Sequence, residues 1–213
     1  MIIVLLYLLV PVSRWPGATA LLPRGSSQSA IVAFEIAYQW GAVVLVCAGL
    51  FANKLRFRDL IGKLWATGEE ALRDISLGLL FWLLAIGLSL LTYLILGSSY
   101  NHLSRVLPRT LADLALFIPF ALTAGFCEEV IFRGYLFKQF TWLTGSTDVA
   151  LVIQAVIFSA AHGYDQTIAG VVNNFLFAIA FGVLANWRKS LLPSIIGHSW
   201  LDISVGIVGL IFP

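Results

Sequence analysis

The sequence predicts an all-α fold: a polytopic transmembrane helical bundle of six to seven helices around a central intramembrane polar cavity. Three observations predict it. Of 213 residues, 60% are hydrophobic and only 11% are charged, against about 25% charged in a soluble domain, and mean hydropathy is +0.93. Several apolar runs reach the about 20 residues a spanning helix needs, with none of the alternation a barrel strand would show. The few ionisable residues inside those runs gather in the second half of the chain. So low a charge content excludes a nucleic-acid binder more firmly than the net charge of +2 does. At this length residues 1–213 are expected to form a single integral membrane domain, with no room for a second.

Taken in order, Met1–Val12 is apolar but too short to cross comfortably and lacks the basic start of a signal peptide, so it reads as a short or partial first span. Ala30–Phe51 and Ile75–Gly97 span plainly. Leu111–Cys127 runs into two acids and is expected to continue as helix through Phe137. Val149–His162 is shorter, and Ile168–Trp187 and Leu191–Phe212 complete the set. Lys54, Arg56, Arg58, Lys63 and Arg73 between the first two long spans place that loop in the cytoplasm. Alternation then puts Lys138 and Arg188-Lys189 on the same side, and Arg14, Arg24, Arg105 and Arg109 opposite. The loop reads either as an amphipathic helix on the membrane surface or as a solvated linker helix. The expected location is a multi-pass place in a membrane, the bacterial inner membrane by the small size and bare loops. Cys47 and Cys127 lie in apolar runs, form no disulfide or metal-ligand pattern, and read as packing residues.

A charge at mid-bilayer costs at least about 2.5–3.5 kcal/mol, so intramembrane ionisable residues are functional candidates. Glu129 and Arg133 are four apart with the acid first, the favourable order for an ion pair on one helix face. Glu128 points about 100° away and is left free, as suits a proton acceptor in a low-dielectric site. The bland alternative ends the span at the headgroups with both acids. His162 closes an apolar run before Gly163, with Phe158 one turn earlier on its face; a capping or interfacial histidine is the competing reading. His198 and Asp202, again four apart, are the only titratable groups between Ile195 and Leu210. Counting 1.5 Å per residue from the expected cytoplasmic face puts Glu128, His162, His198 and Asp202 at roughly 18, 22, 14 and 20 Å depth, one level reached from three helices. The His162 helix must then stop within the bilayer, leaving Gly163–Gln166 to line a water-filled cavity. Glu35 reads as interfacial, Asn173 and Asn174 as helix-packing residues, and His102 as solvated.

Glu128-Glu129-Val-Ile-Phe-Arg133, Phe158-x-x-x-His162 and His198-x-x-x-Asp202 resemble, in order, the three motifs of the CAAX-protease and bacteriocin-processing family of intramembrane endopeptidases, also called the Abi family. Phe181-Gly182, Leu191, Pro193 and Ile195 are similar to the family's lead-in to its third motif, and the resemblance covers roughly 111–202. It implies a glutamate-dependent protease with no metal or other cofactor. Glu128 and His162 would activate the attacking water. His198 and residue 202 would hold the oxyanion, with Glu129, Arg133 and Phe158 supporting. Asp202 departs from the pattern, because the best-known CAAX-cleaving members carry Asn there. An ionised carboxylate only accepts hydrogen bonds, so Asp202 is either protonated or orients His198 and leaves the oxyanion to the imidazole.

Two rivals stand beside this reading. Glu, two His and Asp could bind zinc, although no helix carries the close His-x-x-x-His pair. A non-catalytic bacteriocin-immunity factor or membrane scaffold would keep the same shape. A transporter is a weaker third, since the hydropathy shows no inverted repeat. The expected partners are the lipid bilayer and a peptide or protein substrate: prenylated, as in eukaryotic relatives, or a bacteriocin precursor or membrane-protein segment.

Overall fold

A computed structural model describes residues 27–97, 107–163 and 167–211. The expectations for Met1–Val12, Arg14, Arg24, His102, Arg105 and the cavity-lining run to Gln166 lie wholly or mostly outside these residues. Eight α-helices are described: α1 (Gln28–Ala52), α2 (Phe57–Ile61), α3 (Gly68–Leu96), α4 (Leu111–Glu128), α5 (Phe137–Thr144), α6 (Thr147–Gly163), α7 (Ile168–Arg188) and α8 (Leu192–Ile211). A π-helical stretch, Glu129–Leu136, joins α4 to α5. Among the described residues there is no strand, only an isolated antiparallel bridge between Gly62 and Ser190. Five helices are long and apolar enough to cross a membrane: α1, α3, the continuous rod Leu111–Thr144, α7 and α8. The protein is a helical membrane bundle.

Side-chain caps start these helices. Ser27, Thr67, Thr110 and Thr167 each accept a hydrogen bond from a backbone N–H in the first turn of α1, α3, α4 and α7, satisfying donors a helix end leaves open. Thr110 and Asp113 cap reciprocally. The cap at Thr67 explains why α3 begins seven residues before the apolar run at Ile75. Its charged first turns lie at the bundle's end, and Asp74 is buried there by Arg188 Nε (2.9 Å) and Trp65 Nε1 (3.1 Å), both donating to its carboxylate.

Helix α8 is central, packing on α3, α4 and α7; α6 packs on α7 and α5, and α1 on α4. With lipid offering no hydrophobic drive between helices, close approach depends on small residues. A Cβ built on Gly125 of α4 would fall 2.8 Å from the Ser199 backbone nitrogen of α8, so this crossing requires glycine. Leu80, Leu83, Leu90 and Leu94 of α3 are exposed, forming a face for lipid.

The loop after α1 is neither of the helices expected for it. Its helical part is only Phe57–Ile61, and Leu60 and Ile61 are buried in the core cluster while Leu55 and Leu64 stay exposed. Two apolar residues so placed make α2 a plug in the end of the bundle, tied there by Lys138 Nζ donating to the carbonyls of Asp59 and Leu60.

Candidate active site

The acid pair sits where the helix changes its winding. Glu128 is the last residue of α4 and Glu129 the first of the π-helical stretch, every residue of which is buried. A π-turn is wider than an α-turn and recurs at functional sites. Here it aims the two acids into different surroundings.

Glu129 is fully buried. Its Oε1 lies 3.0 Å from Arg133 Nη1, the pairing expected from their spacing. The same oxygen accepts a hydrogen bond from His198 Nδ1 at 2.9 Å, which the spacing could not foretell. In the wider turn the i,i+4 pair is not squarely stacked, and Arg133 meets Glu129 as an ion pair without an aligned hydrogen bond. The guanidinium instead lies over the Phe158 ring, 4.4 Å from its centroid, and 5.4 Å from that of Phe177. Phe177 of α7 also meets the His198 ring edge-on at 4.8 Å. Glu129, Arg133, His198, Phe158 and Phe177 thus form one dry block.

Glu128 faces the other way, with 13% of its side chain exposed. Its Oε2 lies 3.4 Å from His162 Nε2 and 3.8 Å from His198 Nε2, and Asp202 Oδ2 lies 3.7 Å from the same His198 nitrogen. The side chains of His162 (32% exposed) and Asp202 (28%) open this side of the cluster. His162 Nδ1 is 2.8 Å from the Phe158 carbonyl, which can only accept, so Nδ1 carries a proton and Nε2 is turned toward Glu128. Phe158 stacks on the same imidazole, ring centroids 4.3 Å apart. Glu128, His162, His198 and Asp202, picked from three separate helices, are therefore brought together around the ends of two imidazoles.

Three expectations change. Glu128 is not free, because Gln39 of α1 donates from Nε2 to its Oε1 at 3.3 Å. Glu35, one turn earlier, is half-buried and within electrostatic reach of Glu128 and His162, so it belongs to the site's surroundings and not to the membrane interface. The bond that orients His198 comes from Glu129, while Asp202 stands on the opposite, open side of the ring. Sequence reasoning also passed over Gln39 and Phe177. The available signal for Gln39 was a second polar residue four places from Glu35 in an otherwise apolar span. Asn173 does pack between helices, accepting from Ser89 Oγ at 2.9 Å. Among the described residues no three His, Cys, Asp or Glu side chains are arranged to hold a metal ion.

The model of the family described as Type II CAAX prenyl endopeptidase Rce1-like matches residues 109–204. That stretch holds Glu128, Glu129, Arg133, Phe158, His162, His198 and Asp202. Over residues 109–204, somewhat under half of its length, the chain is therefore similar to the CAAX-protease family. No curated protein and no solved structure matches the chain. This match and the five apolar spans support, in general terms, an intramembrane CAAX-type protease that crosses the membrane several times. Gln39 and Glu35 lie outside the matched region, so the first span adds side chains to a site that the family's motifs alone do not describe.

Proposed function

We propose that the protein hydrolyses a peptide bond with a water held between Glu128 and His162, without a metal, acting on a C-terminal segment that follows a prenylated cysteine. The observation that carries this reading is the 3.4 Å approach of Glu128 Oε2 and His162 Nε2 in a half-open site at the edge of a dry block. Atoms so spaced can both lie within hydrogen-bond reach, about 2.6–3.2 Å, of one water.

The chemistry follows from where each hydrogen can go. Glu128 takes a proton from the water as its oxygen bonds to the scissile carbonyl carbon. The carbonyl π pair moves onto oxygen, and His198 Nε2–H meets that oxyanion. Because Nδ1 donates to Glu129, a proton on Nε2 makes the ring an imidazolium, balanced by Glu129 on one side and Asp202 on the other. Collapse of the tetrahedral intermediate breaks the C–N bond, and the proton on Glu128 passes to the leaving amine. His162, fixed through Nδ1 by the Phe158 carbonyl, positions the water. Gln39 holds the other oxygen of Glu128.

The prenyl part of the proposal rests on the family's description and on the partial exposure of Glu128, His162 and Asp202 within a bundle of apolar spans. The test uses purified protein in liposomes with a fluorescence-quenched peptide ending in a farnesylated Cys-aliphatic-aliphatic-X sequence, and the same peptide without the lipid. Cleavage of the farnesylated peptide only, abolished in Glu128→Gln and unaffected by chelators, supports the reading in full. Cleavage of both peptides removes the prenyl requirement. Loss on chelation with restoration by zinc overturns the metal-free chemistry. Full cleavage by Glu128→Gln would remove Glu128 as the base, and a parent protein that cleaves neither peptide would return the scaffold or immunity reading.

A further inference from the structure

Glu35 is the only charged residue of α1, and its side chain is half-buried inside the first span. Among the described residues it makes no hydrogen bond and no ion pair. A carboxylate is costly inside a span, and one kept there without a fixed partner points to function.

Helix spacing sets where it faces. Val32, Glu35, Gln39, Val43, Val46 and Leu50 recur at every third or fourth place along one side of α1, and the valines and the leucine are buried. Gln39, on this side, donates to Glu128 Oε1. Helices α1 and α4 run in the same direction, since Gln28 Nε2 meets the Leu107 carbonyl near their starts and Gly49 lies beside Tyr135 near their other ends. Glu35 is therefore one turn, about 5.4 Å, nearer those starts than Gln39. That places it level with Ala124, whose side chain offers no polar atom. The titratable groups that act on Glu35 are Glu128 of α4 and His162 of α6. Cys127 of α4 is fully buried, and Glu129 and Arg133 are taken up in the dry block.

A second observation connects Glu35 with the base. Gln39 Oε1 is buried and makes no hydrogen bond with any described residue, although Nε2 of the same amide is engaged by Glu128. A buried acceptor calls for a donor. Residues four apart on a helix face are neighbours, and Glu35 supplies a donor only as the carboxylic acid, whose O–H can turn to Gln39 Oε1. A protonated Glu35 thus completes a line from Glu35 through Gln39 to Glu128. The amide holds this loaded state; the proton itself crosses on the open side shared by Glu128 and His162.

Peptide hydrolysis leaves a proton for such a carrier. The attacking water brings two. The first passes through Glu128 to the leaving nitrogen as the C–N bond breaks. The second stays on the hydroxyl of the new carboxylic acid, and Glu128, ionised again, removes it as the product becomes a carboxylate. Glu128 must lose that proton before it can activate another water. We propose that Glu35 takes this second proton from Glu128 and passes it to bulk water or to the departing amine, which resets the base. The step makes and breaks only O–H and N–H bonds, and nothing is oxidised. It rests on the hydrolysis proposed above.

The experiment uses the full-length protein in liposomes with whichever of the two quenched peptides the parent cleaves. It compares the first turnover, with enzyme in excess, with steady-state turnover. Glu35→Gln should lower steady-state kcat about a hundredfold, the low end for a proton-transfer group, and slow the first turnover much less. Product should then appear as a burst equal to the enzyme present. Glu35→Asp should keep most of the parent's rate. Added formate, a small acid that fits the space left, should raise steady-state turnover of Glu35→Ala and leave that of Glu128→Gln unchanged. If Glu35→Gln does not fold, Glu35→Ala with and without formate decides alone. Equal loss in both phases with no rescue by formate, or parent-like steady-state turnover in Glu35→Gln, overturns the proposal and leaves the hydrolysis standing. A parent that cleaves neither peptide overturns both.

Discussion

Glu128 and Glu129 are consecutive in the chain and opposite in circumstance. Glu129 is wholly buried, shared between Arg133 and His198, and walled by aromatic rings. Glu128 keeps partial exposure and meets the Nε2 ends of two histidines. The comparison shows how one helix can use two identical side chains for two purposes. The dry side fixes geometry, because a buried charge held by partners cannot wander. The open side keeps Glu128, His162 and Asp202 partly exposed, as the proposed attack by water on a substrate carbonyl requires. The change from α- to π-winding between the two acids separates their surroundings.

The comparison breaks most sharply in activity. Glu128→Gln should lower turnover by about 10³ or more, as expected for loss of a positioned general base, while its melting temperature stays within about 2 °C of the parent. Peptide cleavage and thermal unfolding on the same preparation check both halves. Glu129→Ala should do the reverse first. Stranding Arg133 as a buried uncompensated charge should cost about 3–5 kcal/mol of stability, and activity should fall because the fold is lost. Adding Arg133→Met to Glu129→Ala should recover much of that stability without restoring turnover, since His198 still lacks its orienting acceptor. If the double variant is no more stable than the single one, the ion pair is not what Glu129 contributes.

A smaller effect tests the helix that the family match does not cover. Gln39→Leu removes the hydrogen bond to Glu128 but not the carboxylate. It should lower kcat about tenfold, from the low end of the range for a bond to a charged group, with KM little changed. A KM effect alone would make Gln39 a substrate contact instead of a support for the base.

Much of this arrangement was legible in the sequence because hydropathy marks spans and a charge inside a span must be accounted for. Depth counting along three helices was enough to bring Glu128, His162, His198 and Asp202 to one level, and the structure links them in a chain of contacts, His162 to Glu128, Glu128 to His198 and His198 to Asp202, each under 4 Å. What was not legible follows from its physics. Winding is a matter of which carbonyl each N–H chooses, and Glu-Val-Ile-Phe-Arg-Gly-Tyr-Leu reads equally well as either register. The bond from His198 to Glu129 joins residues 69 apart and depends on how α8 docks. Glu35 and Gln39 were visible as polar residues in α1, but only the docking of α1 against α4 shows that they face the site. The loop before α3 misled because its charges and apolar residues suit a surface helix, whereas Leu60 and Ile61 find a place inside the bundle.

The finest distinction concerns Asp202, the residue that departs from the family's pattern. Its carboxylate lies 3.7 Å from His198 Nε2, on the open side and too far for a hydrogen bond. Glu129 already orients the ring, so what Asp202 adds there is negative charge beside the nitrogen that, in the proposed mechanism, carries a proton to the oxyanion. Asp202→Asn removes that charge but supplies an N–H that can itself donate to the oxyanion. The two effects oppose each other, and the variant should keep at least about a tenth of the parent's kcat, since each is of the size of a single charged hydrogen bond. Asp202→Ala loses both and should fall further. Turnover in the Asn variant that vanishes altogether would mean the carboxylate itself is required, and would move Asp202 from balancing His198 to handling a proton.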